Sequence, residues 1–369
     1  MTHITEHKRI HLIGIGGCSM SGLASILKNR GYYVQGSDRA ESPFTERLKE
    51  LGVPVFIGHD AKNIGDCDLI IFSAAIKSDN VERAEAKRRG IPELERSGAL
   101  GQLTEGYESV VGIAGCHGKT TITSMLALIC EQGGPDATVH IGGFVDFLNG
   151  GVRLGAHDMF ITEACEYVES FLTLRPTIAL INNIDNDHLE YYGDMEHIVA
   201  AFKKFAALLP ENGLLIGNTD DFRVHALMAE HTGRKLSYGM KDADYTPANI
   251  TYDDNGCPGF DIMFRGEKLM HIQLRIPGEH SVMNAIAAAA VAREIGADDK
   301  CIVSALNAFR NTRRRFEYYG ERNGVKYYHD YGHHPSEIAA TMKAASNVKH
   351  NKLFCVFQCN SYTRAKTLF

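Results

Sequence analysis

The chain has no CxxC pair, no apolar run long enough to span a membrane, no internal repeat or low-complexity segment, and no excess of basic charge. Each absence speaks against a class of protein. Nine cysteines scattered through 369 residues, an odd count without metal-type spacing, give no disulfide framework and fit reduced thiols. Cys355 and Cys359 fall in or beside a predicted strand, where packing is a better reading than a metal pair. Without an uninterrupted apolar stretch of about 20 residues there is no α-helical membrane insertion to expect. A net charge of −6 offers nucleic-acid phosphates little to hold. The opening MTHITEHKRIHLIGIGG enters a strand at once, without the core and cleavage site of a signal peptide. The expected location is the cytoplasm.

What is present is ordinary globular composition, 44% hydrophobic and 23% charged, in a chain long enough for two or three domains. Strand and helix signals alternate from the start. RIHLIGIGG reads as strand and turn, SMSGLASILKNRG as helix, YYVQGSD as strand, SPFTERLKELG as helix and CDLIIFSAAI as a buried strand. That order predicts a doubly wound parallel sheet with ligand loops at the strand C-termini. A polar stretch near LTEGYES marks a first boundary before VVGIAG. The middle region repeats the alternation, and residues 244–278 carry strand and turn signals suited to antiparallel strands. SVMNAIAAAAVAREIG reads as a buried helix. After NTRRRFEYYG a third α/β unit begins, ending with a predicted strand at KLFCVFQ.

Two glycine loops carry the chemistry. GCHGKTT, residues 115–121, sits between a strand and a helix, where backbone amides and a helix N-terminus converge on phosphate. Lys119 would neutralise phosphate charge and the Thr120 hydroxyl would ligate Mg²⁺. Strict Walker A spacing would put glycine at Ile113, so this loop is shorter. GIGGCSMSG, residues 14–22, is a dinucleotide-like loop with Ser19 at the third glycine position and Asp38 ending the next strand. It suits a nicotinamide cofactor, a UDP-sugar, or close packing without ligand. Glu163 and the pair Asp187 and His188 follow two further strands, where carboxylate and imidazole would hold a metal. RRRF at 313–316 and HDYGHHPSE at 329–337 cluster charge at a junction, as an arginine reaching a phosphate or as a solvated basic face. Lys203 and Lys204 read as solvated lysines on an amphipathic helix.

Taken in order, GIGGCSMSGLA, AGCHGKTTITSM, NNIDNDHLEYYG, PGEHSVMNAIAAAA, RRRFEYYGERNGV and DYGHHPSEI resemble the Mur ligases along essentially the whole chain. The resemblance implies three domains. Residues 1–107 would be a Rossmann-like UDP-sugar domain and 108–312 a central P-loop ATPase-type α/β domain with some antiparallel strands. Residues 313–369 would begin a Rossmann-like amino-acid domain that is incomplete here, because family members continue beyond this point. It also implies ATP-dependent ligation of L-alanine to the lactyl carboxylate of UDP-N-acetylmuramate through an acyl phosphate, a step of peptidoglycan synthesis. Oligomeric state stays open.

By the same resemblance, Gly115, His117, Gly118, Lys119, Thr120, Thr121, Asn284, Arg315 and Asp330 would bind ATP. Asn284 would meet the adenine with His280 nearby, Asp330 the ribose, and Arg315 the phosphate. Thr120, Glu163 and His188 would hold Mg²⁺. Lys119, His188, Arg315 and His334 would be catalytic, with His333 and His334 near the incoming amine. Gly16, Gly17, Ser19, Met20, Asp38 and Ser73 would face the UDP-sugar. Departures from the family pattern are Cys116 for threonine, EACEYVES for EADESD, and FQCNSYTRA for FQPH.Y.RT with Arg364 retained. Three alternatives remain at this level: ligation of a recycled peptide to the same nucleotide, a silent nucleotide-binding homologue, and an NAD-linked enzyme using the first loop.

Overall fold

Apolar runs that end in glycine loops become parallel strands here, and the amphipathic runs after them become the helices covering the sheet. The structure is a computed structural model that describes residues 2–310 and 314–359. It divides into two units. Met1–Gly112, Ala137–Glu163 and Ser170–Pro176 form the first, and Ile113–Asp136, Ala164–Glu169 and Thr177–Phe369 the second.

In the first unit five strands lie in the order Val55–Ile57, Tyr33–Asp38, Arg9–Ile13, Leu69–Phe72, Glu93–Glu95, all pairings parallel. Ile10, Leu12, Ile13, Leu69, Ile70 and Ile71 are buried, as a sheet covered on both faces requires. Strand order reverses between Arg9–Ile13 and Leu69–Phe72, so the loops after them splay apart and leave a crevice. Helix Cys18–Asn29 starts in that crevice. Helix Pro43–Glu50 starts on a capping box, with Ser42 accepting the Thr45 N–H and Pro43 in its first turn. Ala137–Val145 pairs antiparallel with Gly150–Arg153 and parallel with Ala156–Glu163 in the same unit.

In the second unit Ile178–Ile181, Leu214–Asn218 and Arg234–Tyr238 pair in parallel. Tyr245–Tyr252, Pro258–Phe264 and Glu267–Gln273 continue as antiparallel strands, as the turn signals of 244–278 predict. Helix Glu279–Glu294 buries its alanines 285 and 287–290 completely and packs on helix Lys119–Glu131. A mixed α/β class with one parallel sheet and added antiparallel strands therefore holds for sequence and structure alike.

After helix Asp299–Ala308 the chain forms an antiparallel pair, Glu317–Arg322 with Val325–His329, and then helix Pro335–Asn347. KLFCVFQ differs from expectation. Residues 352–359 form no strand, and Leu353, Phe354, Val356 and Phe357 are exposed. None of the described strands forms a ladder with this run, and a β-prone sequence needs a ladder partner to become a strand. Asn360 and Arg364 lie outside the described residues. Among the described residues no helix is long and apolar enough to cross a membrane, and none of the nine cysteines is in a disulfide.

Candidate functional site

The phosphate-type loop follows the strand Ser109–Ala114 and opens helix Lys119–Glu131. Gly118 is the N-cap with φ +87°, a left-handed conformation that L side chains rarely adopt. Its neighbours come from far along the chain. The Asn183 carboxamide accepts the His117 N–H at 2.8 Å and donates to the His117 carbonyl at 3.0 Å. Asn182 donates to that same carbonyl at 2.9 Å and accepts the Tyr238 hydroxyl at 2.6 Å. Both asparagines directly follow the buried strand Ile178–Ile181, so a rigid sheet edge fixes the loop.

The Lys119 ammonium donates to the Gly115 carbonyl at 2.5 Å and to Glu166 Oε2 at 2.8 Å. Burial alone would lower its pKa, but the Glu166 carboxylate beside it prevails and raises it, so the lysine stays charged. Cys116 donates to the Asp185 carbonyl at 3.4 Å, and burial pushes its thiol well above the ordinary range. It is a packing residue here rather than a nucleophile.

His117 points its two ring nitrogens at two carboxylates. Nε2 is 3.0 Å from Asp185 Oδ2 and Nδ1 is 3.6 Å from Glu337 Oε1. Only the imidazolium has a proton for each. Burial works against that charge, but the two carboxylates prevail and raise its pKa to about 9. Because the folded value exceeds the ordinary one, the charged histidine stabilises the fold fully below the ordinary value of 6.5. That contribution is lost as pH rises through about 9. Denaturant midpoints measured across this interval are expected to fall with pH, and His117→Asn should flatten that part of the slope.

Arg315 Nη1 donates to Glu337 Oε1 at 3.1 Å. Asp330 accepts the Phe316 N–H at 2.8 Å and the Gly332 N–H at 2.6 Å. The His334 ring is buried. Its Nδ1 caps the Ser336 N–H at 3.2 Å, and its Nε2 lies 3.1 Å from the Asn186 carbonyl. His333 Nδ1 lies 3.1 Å from the Tyr331 carbonyl. A cavity of about 230 Å³ joins these parts, and the phosphate loop, Asn182, Asn284, His280, Arg315, Asp330 and Glu337 contribute to its wall. The structure thus gathers His117, Gly118, Lys119, Thr120, Thr121, Asn284, Arg315 and Asp330 around one space. Gly115 opens the loop beneath it.

Glu166, Asp187 and His188 form an acidic cluster, one donor atom of each lying within 4.8 Å of the others. Glu166 and Asp187 are buried, and His188 takes a left-handed φ of +58° with its ring 4.6 Å from that of Tyr167. Two buried carboxylates and an imidazole fit a small hard cation that keeps several waters. Thr120 also belongs to this unit. Glu163 lies in the first unit, where its Oε1 accepts the Gly142 N–H at 2.5 Å. Lys203 and Lys204 pair with Glu230 and Glu169 at 2.7 and 2.9 Å on partly exposed side chains.

In the first unit, Asp38 accepts the Gly16 N–H at 2.8 Å. A Cβ on Gly16 would meet Thr45 at 2.7 Å and the Asp38 carboxylate at 2.9 Å, so the backbone approach demands glycine. Ser73, whose N–H donates to the Ile13 carbonyl at 3.2 Å, lies against Gly14. Gly16, Gly17, Asp38 and Ser73 therefore sit at the ends of neighbouring strands around the switch point, with Ser19 in the first turn of helix Cys18–Asn29 and Met20 buried in that helix. Ser19 Oγ accepts from Arg96 Nη1 at 3.3 Å and lies 3.3 Å from Nε2 of His140. Burial lowers the His140 pKa to about 4 and keeps its ring neutral.

Sequence reasoning passed over Asn182, Asn183, Asp185, Glu337, Arg96 and His140. For the asparagines a signal existed, because NNID directly follows a buried strand next to two residues already singled out. For Arg96 and His140 there was none, since neither belongs to a motif.

A shortened phosphate loop in one unit, a second glycine loop at a switch point in the other, and Arg315 and Asp330 lining the first loop's cavity are features of nucleotide-using ligases. The chain belongs to the Mur ligase family. Residues 9–108 match the Mur ligase family catalytic domain, 113–292 the Mur ligase middle domain, and 314–366 the Mur ligase glutamate ligase domain. It is 44% identical to the UDP-N-acetylmuramate–L-alanine ligase of Clostridium botulinum (strain Langeland) over 364 residues, covering 99% of this chain and 80% of that protein. The enzyme of the same name from Clostridium beijerinckii is 45% identical with the same coverage. Among solved structures, UDP-N-acetylmuramate–alanine ligase MurC from Thermotoga maritima superposes with a TM-score of 0.81 at 29% identity, over 93% of this chain and 78% of that one. The UDP-N-acetylmuramate:L-alanyl-γ-D-glutamyl-meso-diaminopimelate ligase from Neisseria meningitides superposes with a TM-score of 0.74 at 28% identity, over 84% of this chain and 100% of that one.

Proposed function

We propose that this chain uses ATP to join L-alanine to the lactyl carboxylate of UDP-N-acetylmuramate, a step of peptidoglycan precursor synthesis in the cytoplasm. The observation that carries the reading is the cavity where the phosphate loop, Asn284, Arg315 and Asp330 face one space. The 44% identity to L-alanine ligases along 99% of the chain selects the substrates.

A carboxylate is a poor acyl donor until one oxygen becomes a leaving group. The γ-phosphoryl of ATP moves to the lactyl oxygen, giving ADP and an acyl phosphate. The amine of L-alanine then attacks the acyl carbon, phosphate departs and an amide remains. Lys119 and the amides of residues 115–121 hold the phosphates, Arg315 faces the transferring charge, Asn284 meets the adenine and Asp330 the ribose. Bound Mg²⁺ would offset the repulsion between phosphate and carboxylate. Thr120, His188 and the acidic side chains Glu166 and Asp187 would hold it. His333 and His334 face the amine side in this reading, and the buried, doubly engaged ring of His334 gives it the part of holding the Asn186 segment in place. Gly16, Gly17, Ser19, Met20, Asp38 and Ser73 serve the UDP-sugar.

The test is phosphate release from ATP with Mg²⁺ and UDP-N-acetylmuramate, with and without L-alanine. Release is expected only with all components, and chelation of the metal should abolish it. Release with L-alanyl-γ-D-glutamyl-meso-diaminopimelate and not with L-alanine would overturn the choice of amine. Tight binding of both nucleotides by folded protein without release under any condition would overturn the catalytic reading.

A further inference from the structure

Glu337 stands in the first turn of helix Pro335–Asn347, where a glutamate ordinarily closes a capping box. One oxygen does that. Oε2 accepts the His333 N–H at 3.1 Å and the His334 N–H at 3.4 Å. The other oxygen turns away from the helix into the cavity. Oε1 accepts from Arg315 Nη1 at 3.1 Å and faces His117 Nδ1 at 3.6 Å. The carboxylate is only 12% exposed. Burial would raise its pKa, but His117 and Arg315 hold it well below the ordinary range. The chain of contacts goes on, since His117 Nε2 reaches Asp185 Oδ2, which also accepts the Ser336 hydroxyl at 2.6 Å.

A helix cap needs no partner on the phosphate loop, and a lone arginine at a phosphate site needs no carboxylate. Glu337 serves both at once through separate oxygens. We propose that Glu337 is a positioning residue of the ligation reaction: through Oε1 it fixes the Arg315 guanidinium beside the phosphate loop. An arginine loses several rotatable bonds when it is fixed, and that entropy is lost at the moment of binding unless a partner has fixed the side chain beforehand. Glu337 sets that geometry before ATP arrives. The inference rests on the reading that the loop and Arg315 contact ATP phosphates.

The experiment compares ATP dissociation constants, measured by calorimetry on the full chain, for wild type, Glu337→Gln, Arg315→Ala and the double variant. Binding is read directly, so loss of turnover does not hide the result. Glutamine keeps the capping geometry but removes a charge that Arg315 and His117 hold, so the melting temperature should fall, and binding is compared at a temperature where every variant is folded. ATP affinity is expected to fall about tenfold, the size usual for coupled charged neighbours. Added to Arg315→Ala, the same change should cost less than about twofold, because Glu337 acts through the arginine. UDP-N-acetylmuramate affinity should not move. Glu337→Asp keeps the charge and should recover part of the loss. Wild-type ATP affinity in Glu337→Gln beside weakened affinity in Arg315→Ala overturns the proposal alone. A full tenfold loss on top of Arg315→Ala also overturns it. Wild-type affinity in Arg315→Ala overturns the reading of Arg315, and the proposal falls with it.

Discussion

Replacing Lys119 with methionine should stop ligation and also unsettle the fold, and a second substitution separates the two effects. The ammonium is 14% exposed and lies 2.8 Å from Glu166, which is 2% exposed. Removing it leaves a buried carboxylate unpaired, which costs about 3–5 kcal/mol. Removing a cation that faces transferring phosphate costs about 10²–10³-fold in turnover. Adding Glu166→Gln takes away the orphaned charge, so Lys119→Met/Glu166→Gln should regain most of the denaturation midpoint while phosphate release stays lost. Recovery of both would mean that the lysine acts only as the partner of Glu166. Recovery of neither would mean that Glu166 is needed elsewhere, as its place beside Asp187 and His188 allows.

Gly118→Ala should lower ATP affinity more than any other single methyl group added to this chain. A Cβ there would sit 2.4 Å from Asn182 Nδ2 and 2.7 Å from Asn284 Oδ1, at φ +87°. The left-handed backbone costs about 1–2 kcal/mol for an alanine, and overpacking adds about 1–3 kcal/mol. Asn182 can yield only by releasing the His117 carbonyl or Tyr238, so the loop that it holds must shift. A displacement of about 1 Å at a reacting centre can cost about 10²-fold. Gly133→Ala is the control. It has φ +102° with nothing within 4 Å of its Cβ, so it carries the backbone strain alone and should leave ATP affinity unchanged. UDP-N-acetylmuramate affinity should survive both changes, since the residues assigned to that nucleotide lie in the other unit. Equal ATP affinity in the two alanine variants would remove the Asn182 argument.

Much of this was legible one residue at a time. A glycine loop before GKTT can hardly be anything except a strand-to-helix turn, because only glycine takes φ +87° without strain and only a helix N-terminus follows so directly. Alternating apolar runs with short loops gave the parallel strands, and the alanine run of Glu279–Glu294 gave a helix buried on every side. KLFCVFQ shows where such reading stops. Its composition favours a strand, yet residues 352–359 form none, because a strand is a relation between two segments and composition describes only one.

The sequence by itself determined the elements whose causes are local, the two glycine loops and the alternation behind a doubly wound sheet, and with them the family. Tertiary structure alone decided which distant groups meet. Asn182 and Asn183 clamp His117 from 65 and 66 positions away. Glu337 reaches Arg315 across 22 positions, and His140 reaches Ser19 across 121. Each of these contacts joins two elements that pack for reasons of their own, through buried apolar faces that name no partner for the polar groups beside them. Hydrogen bonds and ion pairs are then chosen by what the packing brings within about 3 Å, and no spacing along the chain encodes that.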